Sequence, residues 1–346
     1  MKNILITGGA GFIGINSAKY FLDKGWQVFV LDNFSRQGTE ENIKWLKKCS
    51  NLKKLKVIRG DIRDNSILPK LVNQVEVILH LAAQVAVTTS IQNPREDFEI
   101  NALGTLNILE AVRRSKNRPI VLFSSTNKVY GRMEDVKVVE KNGRYQYKDL
   151  VKGIDENRNL DFHSPYGCSK GTADQYVRDY ARIYGLKTVV FRQSCIYGPH
   201  QFGIEDQGWV AWFTIAALLN KPLIIYGDGK QVRDILFIDD LNNAFWLAIK
   251  NIKKTASQVY NIGGGPKNQL CLLELMSFLE RFFGKKTKYR FAPWRAGDQP
   301  VFICDIRKAK KDFNWQPKIS VTEGVKKLVQ WAQYNKNLFH KIYERV

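Results

Sequence analysis

Between the apolar run Asn3–Thr7 and the amphipathic stretch Phe12–Lys24 the chain places Gly8-Gly9-Ala10-Gly11-Phe12-Ile13-Gly14. No other feature restricts the fold so severely. The glycines read as GxGxxG from Gly9 and as GxxGxxG from Gly8. They allow a tight turn, close approach of backbone to a pyrophosphate, and close packing of a helix on its strand. The helix start then offers unpaired N–H groups and a positive dipole end to the anion. A glycine-rich turn without a ligand would carry the same letters. Context separates the two: a strand precedes, a helix follows, and Asp32 closes the next strand. A carboxylate there accepts hydrogen bonds from ribose hydroxyls and repels a 2′-phosphate, so the expected cofactor is NAD rather than NADP. Arg36, able to stack on adenine or bind a phosphate, pulls the other way.

The rest of the first half repeats this alternation. Apolar runs at Asn3–Thr7, Gln27–Leu31, Leu55–Ile58, Val75–Leu81, Ile120–Ser125 and Thr188–Arg192 alternate with helical patterns such as Phe12–Lys24 and Asp97–Ser115. Runs without a polar face, separated by helices, predict a parallel sheet covered on both sides. The expected fold class is α/β: a doubly wound Rossmann-type parallel sheet with a smaller, interleaved α/β substrate-binding domain. A length of 346 residues suits two such units. Beyond Gly198-Pro199 the rhythm loosens. Pro222, Gly227 and Gly229 punctuate short strands, and helices are expected at Gln269–Phe283 and Val321–Tyr334. Val232–Lys250 reads as a return to the first unit. The expected domains are residues 1–192 plus about 232–258 for NAD, and about 193–231 plus 259–346 for a nucleotide sugar. The polar stretch Arg132–Asn159 is expected to be a surface insertion.

Composition removes other classes. Five scattered cysteines form no CxxC, and their odd number argues against a disulfide framework. Four histidines lack metal-ligand spacing, so no metal is expected. The longest apolar run, Trp209–Leu219, is short of the ~20 residues a membrane helix needs. A strand candidate so near the first residue leaves no room for a signal peptide. A cytoplasmic protein without a membrane partner is expected. The net charge of +21 could serve nucleic acid. Yet lysines such as Lys44, Lys47 and Lys48 are spread over outer helix faces, with no zinc finger, RNA-binding signature or basic tail, so no nucleic-acid partner is expected.

Two segments carry chemistry. Ser164-Pro165 makes a good helix start, Ser as N-cap and Pro in the first turn, and Gly185 a good stop. Tyr166 and Lys170 then stand at i and i+4, on one face. A base that removes a proton from a sugar hydroxyl must work near neutral pH, and tyrosine ionises near 10. A lysine cation and a positively charged nicotinamide beside the phenol would both lower that value. The spacing alone also describes a core tyrosine beside a surface lysine; its place after the fifth strand of a dinucleotide-binding sheet is what singles it out. The other segment, Phe123-Ser124-Ser125-Thr126-Asn127-Lys128-Val129-Tyr130-Gly131, leaves the carboxyl end of a strand, where open parallel sheets bind ligands.

Three stretches now make a resemblance specific: Ser125–Gly131, Asp161–Lys170, and Asp206-Gln207-Gly208-Trp209-Val210. Over nearly its whole length the chain resembles the extended short-chain dehydrogenase/reductase family of nucleotide-sugar enzymes. Within it, the chain is most similar to the branch that inverts carbon 2 of a CDP-linked hexose. The resemblance implies a catalytic triad of Thr126, Tyr166 and Lys170. It implies cofactor contacts from Gly8, Gly11, Phe12, Ile13, Asp32, Asn33, Arg36, Asp61, Ile62, Leu81, Ala82, Ala83, Asn101, Ser124, Ser125 and Gln193. It further implies substrate contacts from Gln84, Asn127, Lys128, His163, Ser194, Cys195, Gln207, Gly208 and Trp209. Arg233 and Arg295 would hold the diphosphate, Tyr226 would pack on the base, and Asp298 would reach a ribose hydroxyl. Related 4,6-dehydratases carry Asp-Glu directly after the catalytic Thr; here Asn127 and Lys128 stand there, and elimination loses its paired acid and base. The expected activity is an NAD-dependent 2-epimerisation of a CDP-hexose through a 2-keto intermediate, in a homodimer or homotetramer serving lipopolysaccharide biosynthesis. A UDP-sugar 4-epimerase and a catalytically silent NAD-binding regulator are the alternatives.

Overall fold

The computed structural model describes residues 2–295 and 298–343, so residues 1, 296–297 and 344–346 of the expected domain ranges lie outside it. In chain order the strands are β1 (Asn3–Thr7), β2 (Gln27–Asp32), β3 (Leu55–Arg59), β4 (Val77–His80) and β5 (Ile120–Thr126). A hairpin of β6 (Val138–Lys141) and β7 (Arg144–Tyr147) follows, then β8 (Thr188–Gln193), β9 (Cys195–Tyr197) and β10 (Leu223–Tyr226). Last come β11 (Val232–Phe237), β12 (Gln258–Ile262), β13 (Gln269–Cys271), β14 (Tyr289–Ala292) and β15 (Val301–Phe302). A seven-stranded sheet runs β12-β8-β5-β4-β1-β2-β3, every neighbour parallel.

Alternate residues of this sheet feed two cores. Ile4, Ile6, Val28 and Val30 pack with Phe21 of the helix Phe12–Asp23 and with Leu241 and Phe245 of the helix Ile238–Lys250. Leu5, Phe29 and Leu31 pack on the other side with Ile108 and Leu109 of the helix Gly104–Arg114 and Val177 of the helix Ser164–Tyr184. Burial on both faces is why these strands lack a polar alternation. Each such side chain taken fully out of water contributes roughly 1.5–3 kcal/mol before entropy is charged against it.

Several sequence-based expectations need correction. The helix expected over Asp97–Ser115 is Pro94–Phe98, a π-turn at Glu99–Leu103, and Gly104–Arg114. The wider turn carries Asn101 inward, to 1% exposure, where it bonds the backbone of Gln84. The helix expected over Gln269–Phe283 yields its first three residues to β13 and spans Leu272–Phe283. A capping box sets that start: the Glu274 N–H donates to Cys271 Sγ and the Cys271 N–H to the Glu274 carboxylate. Val232–Lys250 does not return to the first unit as a whole. β11 lies in a second sheet with β9, β13 and β15, and only the helix Ile238–Lys250 lies on the large one, where Ser17 donates to Asn242 at 2.6 Å. The boundary drawn at 258 falls on the first residue of β12, which is the edge strand beside β8. Apolar periodicity locates a strand and leaves open which sheet takes it. The stretch Arg132–Asn159 is more than surface: Tyr147 and Ile154 are buried in a third core with Val232, Phe302 and Cys304. Among the described residues no helix is long and apolar enough to cross a membrane.

Under the glycine turn a buried histidine joins three elements. His80, at the end of β4, hydrogen-bonds Thr7 Oγ1 at 2.7 Å through Nδ1 and Thr105 Oγ1 at 3.0 Å through Nε2. Thr7 Oγ1 in turn accepts from the N–H groups of Leu81 and Ala82. Burial, and then the charge of Lys170, push the ring from its ordinary 6.5 down to about 3. The unfolded chain takes a proton at the ordinary value that the folded chain refuses. Below pH 6.5 the unfolded state therefore binds more protons, and stability falls as pH drops through the window from 6.5 to about 3. Urea unfolding across that window should show a slope that is reduced in His80→Gln; an unchanged slope would assign the acid sensitivity to other groups.

Candidate active site

The carboxyl ends of β1, β2, β4, β5 and β8 open on a cavity of about 340 Å³. Gly8 sits at φ 65°, and a Cβ there would stand 2.8 Å from the Ala82 backbone. A Cβ on Gly14 would collide with the backbone of Gly8 and Gly9, 2.5 Å from the Gly9 Cα. The first and last glycines thus let β1, its turn and the first helix close up as a phosphate cradle requires.

Gly8, Gly11, Phe12, Ile13, Asp32, Asn33, Arg36, Asp61, Ile62, Leu81, Ala82, Ala83, Ser124, Ser125 and Gln193 all line this cavity. Asp32 is buried, and its two oxygens accept the N–H groups of Ala10 at 2.9 Å and Phe34 at 2.8 Å, so it also braces the glycine turn. Burial pushes its carboxyl upward, against those hydrogen bonds and Arg36. Hydrogen bonds from Arg63, with lesser help from Asn33, hold Asp61 down at about 2. Asn101 is not in the wall; it stands behind it. Asn42, Gln201, His200 and Phe202 also line the cavity, and no sequence motif marked them. Asn42 Oδ1, Gln193 Nε2 and Gln201 Oε1 are buried without a partner. Unmatched buried polar atoms around a glycine cradle are what a polar cofactor would complete. The residues present therefore fit a dinucleotide.

Tyr166, Lys170 and Thr126 meet at the inner end. The helix Ser164–Tyr184 starts with the Ser164 hydroxyl accepting the Gly167 N–H at 3.2 Å and stops at Gly185, φ 65°. β5 ends on Thr126, whose side chain lies close enough to the Tyr166 phenol to ease its ionisation. Burial pushes Tyr166 to about 12; Thr126 and Arg36 oppose this and Asp97 adds to it. Burial pulls Lys170 down to about 7, against Asp174 and Asp97. Lys170 Nζ donates to the Ser124 carbonyl at 2.6 Å and lies 4.3 Å from the Phe123 ring centre. The lysine cation expected to ease the phenol's ionisation is tethered to Ser124; the protein cation that acts on Tyr166 here is Arg36.

The residues expected to bind substrate fall into separate groups. Ser194, Cys195, Gln207, Gly208 and Trp209 line the same cavity. Asn127 is buried and accepts from the Thr126 hydroxyl at 3.3 Å, while the Lys128 N–H donates to that hydroxyl at 3.2 Å. Lys128 feels Arg233, Asp298 and Cys195, and burial lowers it. Arg233 pairs with Asp298 at 2.7 Å. Arg295 lies 3.9 Å over the Tyr226 ring and pairs with Asp206 at 3.0 Å, while the Tyr226 hydroxyl donates to Glu205 at 2.6 Å. Two placements depart from expectation. Gln84 bonds its own turn, Nε2 to the Ala86 carbonyl at 2.7 Å. His163 lies in a second cavity of about 420 Å³ beside Tyr130, Arg132 and Arg158, 2.7 Å from Asp161.

Known proteins share this architecture. The profile of the GDP-mannose 4,6 dehydratase family matches residues 5–328. CDP-paratose 2-epimerase of Salmonella typhi is 47% identical over 336 residues, covering 95% of this chain and 98% of that protein. The structure of UDP-glucose 4-epimerase from Thermotoga maritima with UDP-glucose aligns with a TM-score of 0.79 at 31% identity, over 97% of this chain and 99% of that one. The dTDP-glucose 4,6-dehydratase DesIV of Streptomyces venezuelae, with NAD bound, aligns with a TM-score of 0.83 at 27% identity, over 98% and 99%.

Proposed function

The chain belongs to the GDP-mannose 4,6 dehydratase family of nucleotide-sugar enzymes, and from that premise we propose that it is an NAD-dependent 2-epimerase of a CDP-linked hexose. The observation that carries the reading is the Thr126-Asn127-Lys128 turn against the Tyr166 phenol. The turn carries a hydroxyl, an amide and an amine, where water elimination would need a carboxyl pair. The relative from Salmonella typhi supports the choice of carbon and nucleotide.

NAD, held by the Gly8–Gly14 turn and Asp32, would supply the hydride acceptor and afterwards the donor. Tyr166 takes the proton of the sugar's 2-hydroxyl. Thr126 holds the oxygen as it becomes a ketone. Lys170, with Nζ on the Ser124 carbonyl, fixes one side of the site. Arg233 and Arg295 anchor the diphosphate while the 2-keto sugar turns, guanidinium forks suiting phosphate oxygens. Tyr166 then returns the proton to the sugar oxygen at the inverted carbon. Binding energy remote from the reacting carbon keeps the intermediate in place. A cytoplasmic homo-oligomer serving lipopolysaccharide biosynthesis belongs to the same proposal. Exposed Ile91, Phe98, Tyr176 and Ile183 offer apolar surface for contact between copies, and light scattering would read the assembly.

The test is product identification from CDP-paratose, CDP-glucose and UDP-glucose side by side. Inversion at carbon 2 of a CDP-sugar, with a deuterium label at that carbon retained, is the expected result. Inversion confined to carbon 4 of UDP-glucose, or tight NAD binding with no turnover on any of the three, would overturn it.

A further inference from the structure

We propose that Asp97 is a positioning residue for the Tyr166–Lys170 pair: a buried carboxylate that fastens the start of the catalytic helix and presents both members with a fixed negative charge. The inference rests on the catalytic reading of the pair given above.

Asp97 is 1% exposed, in the short helix Pro94–Phe98 that leads into the π-turn. A carboxylate is rarely buried so fully unless it is partnered. Its partners are neutral. The Ser169 hydroxyl donates to Oδ2, and Asn101 Nδ2 donates to Oδ1 at 3.1 Å while also reaching Ser169 Oγ at 3.0 Å. Both partners are able to donate, which suits the ionised acid. Ser169 is the residue before Lys170. The first turn of the catalytic helix is fastened again where the Tyr166 N–H donates to Ser90 Oγ at 3.1 Å. Asn101 carries the connection on to the backbone of Gln84.

Ties of this kind could be purely structural, and an asparagine would make most of them. Charge separates the two roles. The groups around the pair are Asp174 on the same helix, Arg36 after β2, His80 at the end of β4, and Asp97. Asp174 raises Lys170 alone, Arg36 lowers Tyr166 alone, and His80 is held neutral by burial. Asp97 raises both. Its charge favours the cationic form of Lys170 and the protonated form of the phenol. The pH window of turnover is thereby set from behind the site.

The test is Asp97→Asn, which preserves shape and removes charge. Both limbs of the kcat–pH profile should move to lower pH, by about half a unit to one unit, since a negative charge favours the protonated form of each group. KM should change by less than about twofold, because the residue does not touch substrate. In the protein without substrate, the tyrosinate ultraviolet titration, with Tyr166→Phe as blank, should move the same way. A folded, active Asp97→Asn whose limbs and titration both stay in place overturns the proposal. If Asp97→Asn does not fold, the smaller Asp97→Ser removes the same charge and the same direction of shift is expected; no shift there overturns the proposal equally. The ultraviolet titration needs no turnover, so it judges Asp97 even if the catalytic reading of the pair fails.

Discussion

Tyr166→Phe is expected to lose turnover by about a thousandfold, within the range that positioned general acid–base groups supply, while binding NAD and folding as the parent does. The reasons are local. The ring is 9% exposed and its packing survives the substitution. What disappears is one buried hydroxyl beside Thr126, a change of at most about 1 kcal/mol in stability. No other ionisable group at the inner end of the cavity can replace it. Lys170 is committed to Ser124, and His163 lies in another cavity. Steady-state kinetics on the CDP-sugar that the parent epimerises, with calorimetric NAD titration and a thermal melt, checks all three statements. Full turnover by this variant would remove Tyr166 from the mechanism.

The second large effect concerns stability. Asp174 and Arg192 form an ion pair with the carboxylate fully buried and the guanidinium 2% exposed, Nε to Oδ2 at 2.9 Å and Nη2 to Oδ1 at 3.0 Å. Ser125 donates to the same carboxylate at 2.7 Å, Arg192 reaches the Tyr130 hydroxyl at 3.2 Å, and that hydroxyl donates to Asn261 at 2.7 Å. The network ties β5, β8 and β12 to the helix Ser164–Tyr184. Burial pulls the guanidinium down, and Asp174 more than restores it. Asp174→Ala leaves that cation buried without its counter-charge, and the expected loss is about 3–5 kcal/mol. The double variant Asp174→Leu with Arg192→Met removes both charges and should recover most of the loss, since an apolar pair of similar volume is often neutral. Denaturant unfolding of Asp174→Leu, Arg192→Met and the double decides this. A double variant as unstable as the sum of the singles would place the stability in the hydroxyl contacts instead.

The sequence made the sheet legible because buried parallel strands and glycine turns leave local signatures. β1 lies at Asn3–Thr7, and the helix Val321–Tyr334 keeps its expected bounds. The helix Ser164–Tyr184 starts and stops where Ser164-Pro165 and Gly185 mark it. Pairings over long separations left no such mark. Nothing near Val232 distinguishes a strand of the large sheet from one of the second sheet. Nothing near Glu99 announces a π-turn, which depends on Asn101 finding the Gln84 backbone. The candidate site divides in the same way. The cofactor wall follows from the glycine motif and strand ends, whereas the partners of Lys170, Arg233 and Arg295 depend on side-chain geometry.

Those two arginines have a thermodynamic consequence. Arg233 is already bound to Asp298, and Arg295 to Asp206 while its flat face covers Tyr226. For any anion that recruits them, association is a swap of counter-ions. The net gain is the difference between two pairs of similar kind, smaller than a count of positive charges would give. Added salt screens the carboxylate partner as well as the incoming anion. Affinity at this site should therefore depend on ionic strength only weakly for a chain of net charge +21, and discrimination among anions rests on which one reproduces the geometry that Asp206 and Asp298 now occupy.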